Sequence, residues 1–159
     1  ASMVSSDAAF FLYGGTALGQ GRGERITPLP PLPPSWVVLL KPPIDVPYNK
    51  TERLYASLNP SHFTQGQFTK RMVDLLHQGG EIPTPSLFNT FEGVAFAAFP
   101  ELEGYWQRFS ALGADNIHLA GSGPTLFTLA RDKTQGEELY RSLKREGLEA
   151  YLVQTVARP

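Results

Sequence analysis

No cysteine occurs among the 159 residues. Disulfides, thiolate metal sites, iron–sulfur clusters and cysteine nucleophiles are therefore excluded. No apolar run approaches the roughly 20 residues that a helix needs to cross a bilayer. The opening stretch Ala1-Ser2-Met3-Val4-Ser5-Ser6-Asp7 has none of the basic residues that begin a secretory leader, so a cytoplasmic location is the expectation. Excess charge of one sign is also lacking. Fourteen Lys and Arg against 15 Asp and Glu leave a formal −1, which provides no general basic field for nucleic acid or an anionic membrane. His62, His77 and His118 have no metal-ligand spacing; they are assigned no role, and no metal site is expected.

What is present suffices for a core. Apolar residues make up 42% of the chain, and charged residues only 18%. Proline is unevenly placed, with eight of the 14 lying between Pro28 and Pro47. Short β-type runs are read at Phe10-Phe11-Leu12-Tyr13, Thr16–Gly19 and Glu24–Thr27, the last two joined by Gly21-Arg22-Gly23. Pro28 to Pro34 cannot be helical and reads as an extended spacer. Arg25-x-x-Pro28-x-x-Pro31 also has the form of an SH3 ligand, which would make the chain an interaction protein.

From residue 36 the pattern becomes more regular. Trp36-Val37-Val38-Leu39-Leu40 predicts a buried strand, ended by Pro42-Pro43. Helices are predicted over Lys50–Leu58, Gln67–Gln78, Asn89–Phe99 and Pro100–Leu112 from apolar spacing, with stops at Gly79-Gly80 and Gly113. Strands at Asn116–Ala120 and Thr125–Ala130, a helix over Thr134–Glu146 and a strand at Tyr151–Val156 follow. A strand, several helices, a hairpin, a helix and a strand make an α+β order, resembling a ferredoxin-type split βαβ sandwich. Two places invite chemistry. Asp7 sits among small residues before an apolar run, where a carboxylate could take a proton from a substrate hydroxyl or simply cap a turn. Gly121-Ser122-Gly123-Pro124 is either a plain hairpin turn or a nest of N–H groups for an anion.

Taken together, the ordered pieces resemble the GHMP kinases, and among them the 4-diphosphocytidyl-2-C-methyl-D-erythritol kinases. These pieces are Ser6-Asp7-Ala8-Ala9-Phe10-Phe11-Leu12, Gly14-Gly15-Thr16-Ala17, Gly21-Arg22-Gly23-Glu24, Thr27-Pro28-Leu29-Pro30 and Lys41-Pro42-Pro43-Ile44. Thr51-Glu52-Arg53-Leu54-Tyr55, Asn89-Thr90-Phe91-Glu92, Phe99-Pro100-Glu101 and Leu119-Ala120-Gly121-Ser122-Gly123-Pro124-Thr125 continue the likeness. The resemblance implies ATP-dependent phosphorylation of a sugar-alcohol 2-hydroxyl in non-mevalonate isoprenoid biosynthesis, with ATP and Mg²⁺ as cofactors. It implies Asp7 as the catalytic aspartate, Tyr55 as an aromatic on the cytosine ring, and Gly121, Ser122 and Gly123 on the loop around phosphate and substrate.

It also implies an organisation. Residues 1–30 would be the C-terminal remnant of the N-terminal ATP-binding (ribosomal S5-like) domain, and 31–159 the C-terminal domain. Ser5 stands where the family has glycine, and Ala8-Ala9 where it has Val-Pro. The lysine of the family's first motif and its glycine-rich ATP loop are not among these residues, so the chain by itself is expected to be inactive. The implied partners are ATP and a cytidyl diphosphate sugar alcohol, with self-association through an exposed N-terminal segment. Another GHMP small-molecule kinase and a non-catalytic ferredoxin-like binding module are the alternative readings.

Overall fold

The computed structural model describes residues 8–79 and 82–156. These group into two compact units. One comprises the described residues of Ala1–Pro34, Gly66–Pro83 and Thr155–Pro159; the other comprises Ser35–Gln65 and Thr84–Gln154.

The first unit opens with helix α1 (Ala8–Tyr13), where the sequence reading expects a strand. Phe-Phe-Leu-Tyr has no polar–apolar alternation, which is the signal that distinguishes a half-buried strand from a helix. Two alanines precede it and favour helix. Gly14, at φ 62°, ends the turn by donating its N–H to the Phe10 carbonyl at 2.9 Å. Strands β1 (Ala17–Gln20) and β2 (Arg25–Pro28) form the expected antiparallel hairpin, with Gln20 opposite Arg25 and Ala17 opposite Pro28. The Arg25–Pro28 part of the SH3-like pattern is therefore held in a strand ladder. Helix α3 (Gln67–His77) also belongs to this unit, and Gly79 at φ 73° stops it as anticipated.

The second unit contains β3 (Trp36–Lys41), α2 (Lys50–Ser57), α4 (Glu92–Ala98), α5 (Leu102–Ala111), β4 (His118–Leu119), β5 (Leu126–Ala130), α6 (Lys133–Arg145) and β6 (Glu149–Gln154). Its sheet has the order β4-β5-β3-β6, with every neighbouring pair antiparallel. Numbered from β3, that is the 2-3-1-4 order of a split βαβ sandwich, as the element order predicts. Register places Val38 opposite Thr128 and Leu152, and Leu40 opposite Leu126 and Ala150. Val38, Leu40 and Leu126 are fully buried in one cluster with Leu54 of α2, Phe99, Leu102 and Phe109 around α4 and α5, and Leu139 and Leu143 of α6. Each such side chain contributes about 1.5–3 kcal/mol by leaving water.

Helix α6 is well delimited by its own sequence. The Asp132 side chain accepts the Gln135 N–H at 2.9 Å, Lys144 and Arg145 occupy the last turn, and Gly147 at φ 73° follows. Gly136 lets the helix approach the sheet closely, because a Cβ there would lie 2.8 Å from Leu152 Cδ1 and 3.3 Å from Ala130 Cβ.

Candidate functional site

The turn between β4 and β5 is where the second unit concentrates its directed polar contacts. Ala120 donates its N–H to the Thr125 carbonyl at 2.8 Å, and Gly123 donates to the Ala120 carbonyl at 2.9 Å. Positive φ angles of 56° at Gly121 and 67° at Gly123 let the chain fold back this tightly. Gly121 is exposed, Ser122 half-buried and Gly123 buried. The Gly121 and Ser122 amides have no hydrogen-bond partner among the described residues.

Two elements hold the turn. From the start of α2, the Lys50 ammonium donates to the Gly123 carbonyl. The Thr51 and Ser122 hydroxyl oxygens lie 3.1 Å apart. From the approach to α4, Asn89 Nδ2 donates to the carbonyls of Leu119 at 2.9 Å and Gly121 at 2.8 Å. Asn89 Oδ1 accepts the Phe91 N–H at 3.0 Å, so the residue at which the expected helix begins supports the turn leading into α4 and also reaches across to β4. Glu92 Oε1 accepts the Leu119 N–H at 2.9 Å.

Desolvation is the main influence on Lys50, and it lowers the pKa of the ammonium below the usual lysine value. His118 is buried beside this framework. Its Nε2 lies 3.1 Å from the Thr84 carbonyl, while Nδ1 lies 3.4 Å from Glu92 Oε1 without a hydrogen-bonding alignment.

Tyr55 stands one helical turn beyond Thr51 on α2 and is 62% exposed. Its ring meets Phe91 edge-on, with centroids 5.0 Å apart at 79°. The structure thus brings Tyr55 and Gly121-Ser122-Gly123 into one locality through Thr51. Asp7 lies outside the described residues. Lys50, Thr51 and Glu92 escaped the sequence reading as turn-holding groups. Asn49-Lys50-Thr51 and Asn89-x-x-Glu92 give no local sign that they reach a turn 27 to 73 residues away. No group of three or more His, Asp or Glu suited to a metal ion occurs among the described residues. No described helix is long and apolar enough to cross a membrane.

In chemical terms, two unpaired amides, two hydroxyls, an ammonium and an exposed aromatic suit an anionic ligand carrying a flat ring. The chain is 47% identical over 153 residues to the 4-diphosphocytidyl-2-C-methyl-D-erythritol kinase of Dehalococcoides mccartyi, covering 96% of this chain and 54% of that protein. It is 35% identical to the enzyme of that name from Geobacillus thermodenitrificans, covering 90% and 48%. The crystal structure of a 4-(cytidine 5'-diphospho)-2C-methyl-D-erythritol kinase superposes with a TM-score of 0.75 at 32% identity, covering 96% of this chain and 54% of that one. The chain spans about half the length of the curated relatives it matches. The family described as "GHMP kinases C terminal" matches residues 69–149, from α3 to the first residue of β6. On that match the chain belongs to the GHMP kinases, and it carries their C-terminal domain.

Proposed function

We propose that this chain serves an ATP-dependent kinase that phosphorylates the 2-hydroxyl of 4-diphosphocytidyl-2-C-methyl-D-erythritol in non-mevalonate isoprenoid biosynthesis. The observation that carries the reading is the 47% identity, over 96% of this chain, to a kinase of that name. The unpaired Gly121 and Ser122 amides support it, because they suit phosphate oxygens that carry full charge. The exposed Tyr55 supports it as a platform for the cytosine ring.

In this reading Asp7 accepts the proton of the 2-hydroxyl as that oxygen bonds to the γ-phosphorus. The bond from phosphorus to the bridging oxygen breaks, and ADP leaves. Gly121, Ser122 and Gly123 close the phosphate and substrate region, and Lys50 adds positive charge at its edge. Mg²⁺ belongs to the same reading as the counter-ion of the ATP phosphates, and no described residue is assigned to it. Residues 1–30 are proposed as the end of the ATP-binding domain and 31–159 as the C-terminal domain, in a cytoplasmic protein. Phe11 and Leu12, 79% and 77% exposed, support self-association through the N-terminal segment.

Activity is assigned to a protein of the relatives' full length, and the 159 residues alone are expected to turn nothing over. Asp7→Asn in a full-length kinase bearing this chain should lower kcat by about 10²–10⁴-fold while cytidine diphosphate still binds. Wild-type turnover in that variant would remove Asp7 from the chemistry. Transfer of phosphate to a different alcohol in preference to the cytidyl substrate would overturn the acceptor assignment.

A further inference from the structure

The peptide links of the β4–β5 turn decide which of its N–H groups can meet a ligand. In a trans peptide the carbonyl and the following N–H point in opposite directions. The Leu119 carbonyl is drawn onto Asn89 Nδ2, and the next amide, Ala120 N–H, points back across the hairpin to the Thr125 carbonyl. The Gly121 carbonyl is drawn onto the same Nδ2 at 2.8 Å, so the Ser122 N–H must face away from Asn89. That amide has no partner among the described residues. The Asn89 side chain is fully committed, with two donor hydrogens on two carbonyls and Oδ1 on the Phe91 N–H. Reversing the amide would set acceptor against acceptor at both carbonyls, so the bonding pattern itself fixes its orientation.

The other supports of the turn cannot do the same. Lys50 holds the Gly123 carbonyl, but the peptide that follows belongs to Pro124, which has no N–H to aim. Among the described residues, Thr51 meets the turn at the Ser122 hydroxyl and at none of its carbonyls. We infer that Asn89 is a positioning residue that aims the Ser122 amide at an anionic group of the ligand by holding the Gly121 carbonyl on the opposite side of the turn. This rests on the reading of the turn as an anion-binding element and deepens it. Asn89 itself touches no ligand. Its chemistry is that of a neutral two-hydrogen donor, which an isosteric carboxylate cannot reproduce.

Asn89→Asp in the full chain separates this role from support of α4, because one oxygen can still accept the Phe91 N–H while the other faces two carbonyls. Residual dipolar couplings and ¹⁵N relaxation read the direction and mobility of the Ser122 N–H without a ligand. The expected result is a reoriented or mobile Ser122 N–H in Asn89→Asp, with the amide signals of Glu92–Ala98 little changed. With inorganic pyrophosphate as probe, the Gly121 and Ser122 signals should shift saturably in the wild type, and at least tenfold more probe should be needed in the variant.

An unchanged Ser122 vector and mobility in Asn89→Asp would overturn the inference, whatever pyrophosphate does. Wild-type amides that ignore pyrophosphate would remove the anion-binding reading, while the vector measurement would still decide what Asn89 aims. Should Asn89→Asp fail to fold, Asn89→Ser, which retains an acceptor for Phe91 but lacks the amide donor, is read by the same couplings.

Discussion

Adding one methyl group at Gly123 tests whether the turn is as tightly framed as its contacts indicate. Gly123 is buried at φ 67°, where an L side chain is strained by about 1–2 kcal/mol. A Cβ there would also lie 2.7 Å from Leu119 Cδ1, 3.3 Å from its Cγ and 3.4 Å from its Cδ2. Leu119 cannot easily retreat. It is 2% exposed, its N–H is held by Glu92 and its carbonyl by Asn89. Overpacking of this kind costs about 1–3 kcal/mol, so Gly123→Ala should lose roughly 2–5 kcal/mol in total.

Gly121→Ala is the control. Its φ of 56° imposes similar backbone strain, but nothing lies within 4 Å of the new Cβ, so about 1–2 kcal/mol is expected. Equilibrium urea unfolding with an unchanged slope measures both losses. The double variant Gly123→Ala/Leu119→Ala should show that the methyl costs only its backbone share once the leucine is gone, a coupling that the four-variant cycle reads directly. Equal losses at Gly121 and Gly123, or a Gly123→Ala cost unaffected by Leu119→Ala, would refute the reasoning.

Two further predictions concern the rest of the second unit. Phe109→Ala, at a fully buried ring in the central cluster, should cost about 3–5 kcal/mol, whereas Phe63→Ala at a 60% exposed ring should stay within about 0.5 kcal/mol by the same denaturation assay. Glu149 accepts from the Tyr151 hydroxyl at 2.6 Å and the Lys41 ammonium at 3.1 Å. These two bonds, with Tyr151 the larger influence, hold the carboxyl below its ordinary pKa, and Glu149 in turn pushes Tyr151 and Lys41 above theirs. The carboxylate's contribution is present above the usual carboxylate range and is lost as pH falls through its folded value. Those of Tyr151 and Lys41 are complete below their unfolded values and are lost as pH rises through the folded ones. NMR titration should show Glu149→Gln returning both neighbours to ordinary behaviour; unaltered titration of Tyr151 and Lys41 would show that Glu149 is not their cause.

Legibility in the sequence followed the range of the interactions involved. Trp36–Leu40 was readable as a buried strand because five consecutive apolar residues between proline clusters admit little else of that length. The helix over Thr134–Glu146 was readable, within one residue of α6 at each end, because Leu139, Tyr140 and Leu143 recur at helical spacing within it. Phe10–Tyr13 misled because a four-residue apolar run has the same composition in helix and strand, and only the backbone path to Gly14 separates them. The turn at Gly121–Pro124 was visible as a turn, and Tyr55 was singled out only through the family likeness. The clasp formed by Lys50, Thr51, Asn89 and Glu92 was invisible, since a lysine at a helix start and an asparagine before another helix have sufficient local explanations.

From β3 onward the order of elements of the split βαβ sandwich was determined by the linear pattern alone, because apolar periodicity, proline clusters and terminal glycines act within a few residues of where they stand. Which polar atoms meet around the β4–β5 turn was decided only when the chain folded. Residues 51, 89, 121 and 122 come together through the packing of α2 and α4 on one core, and no short-range rule of sequence specifies a contact made at that distance.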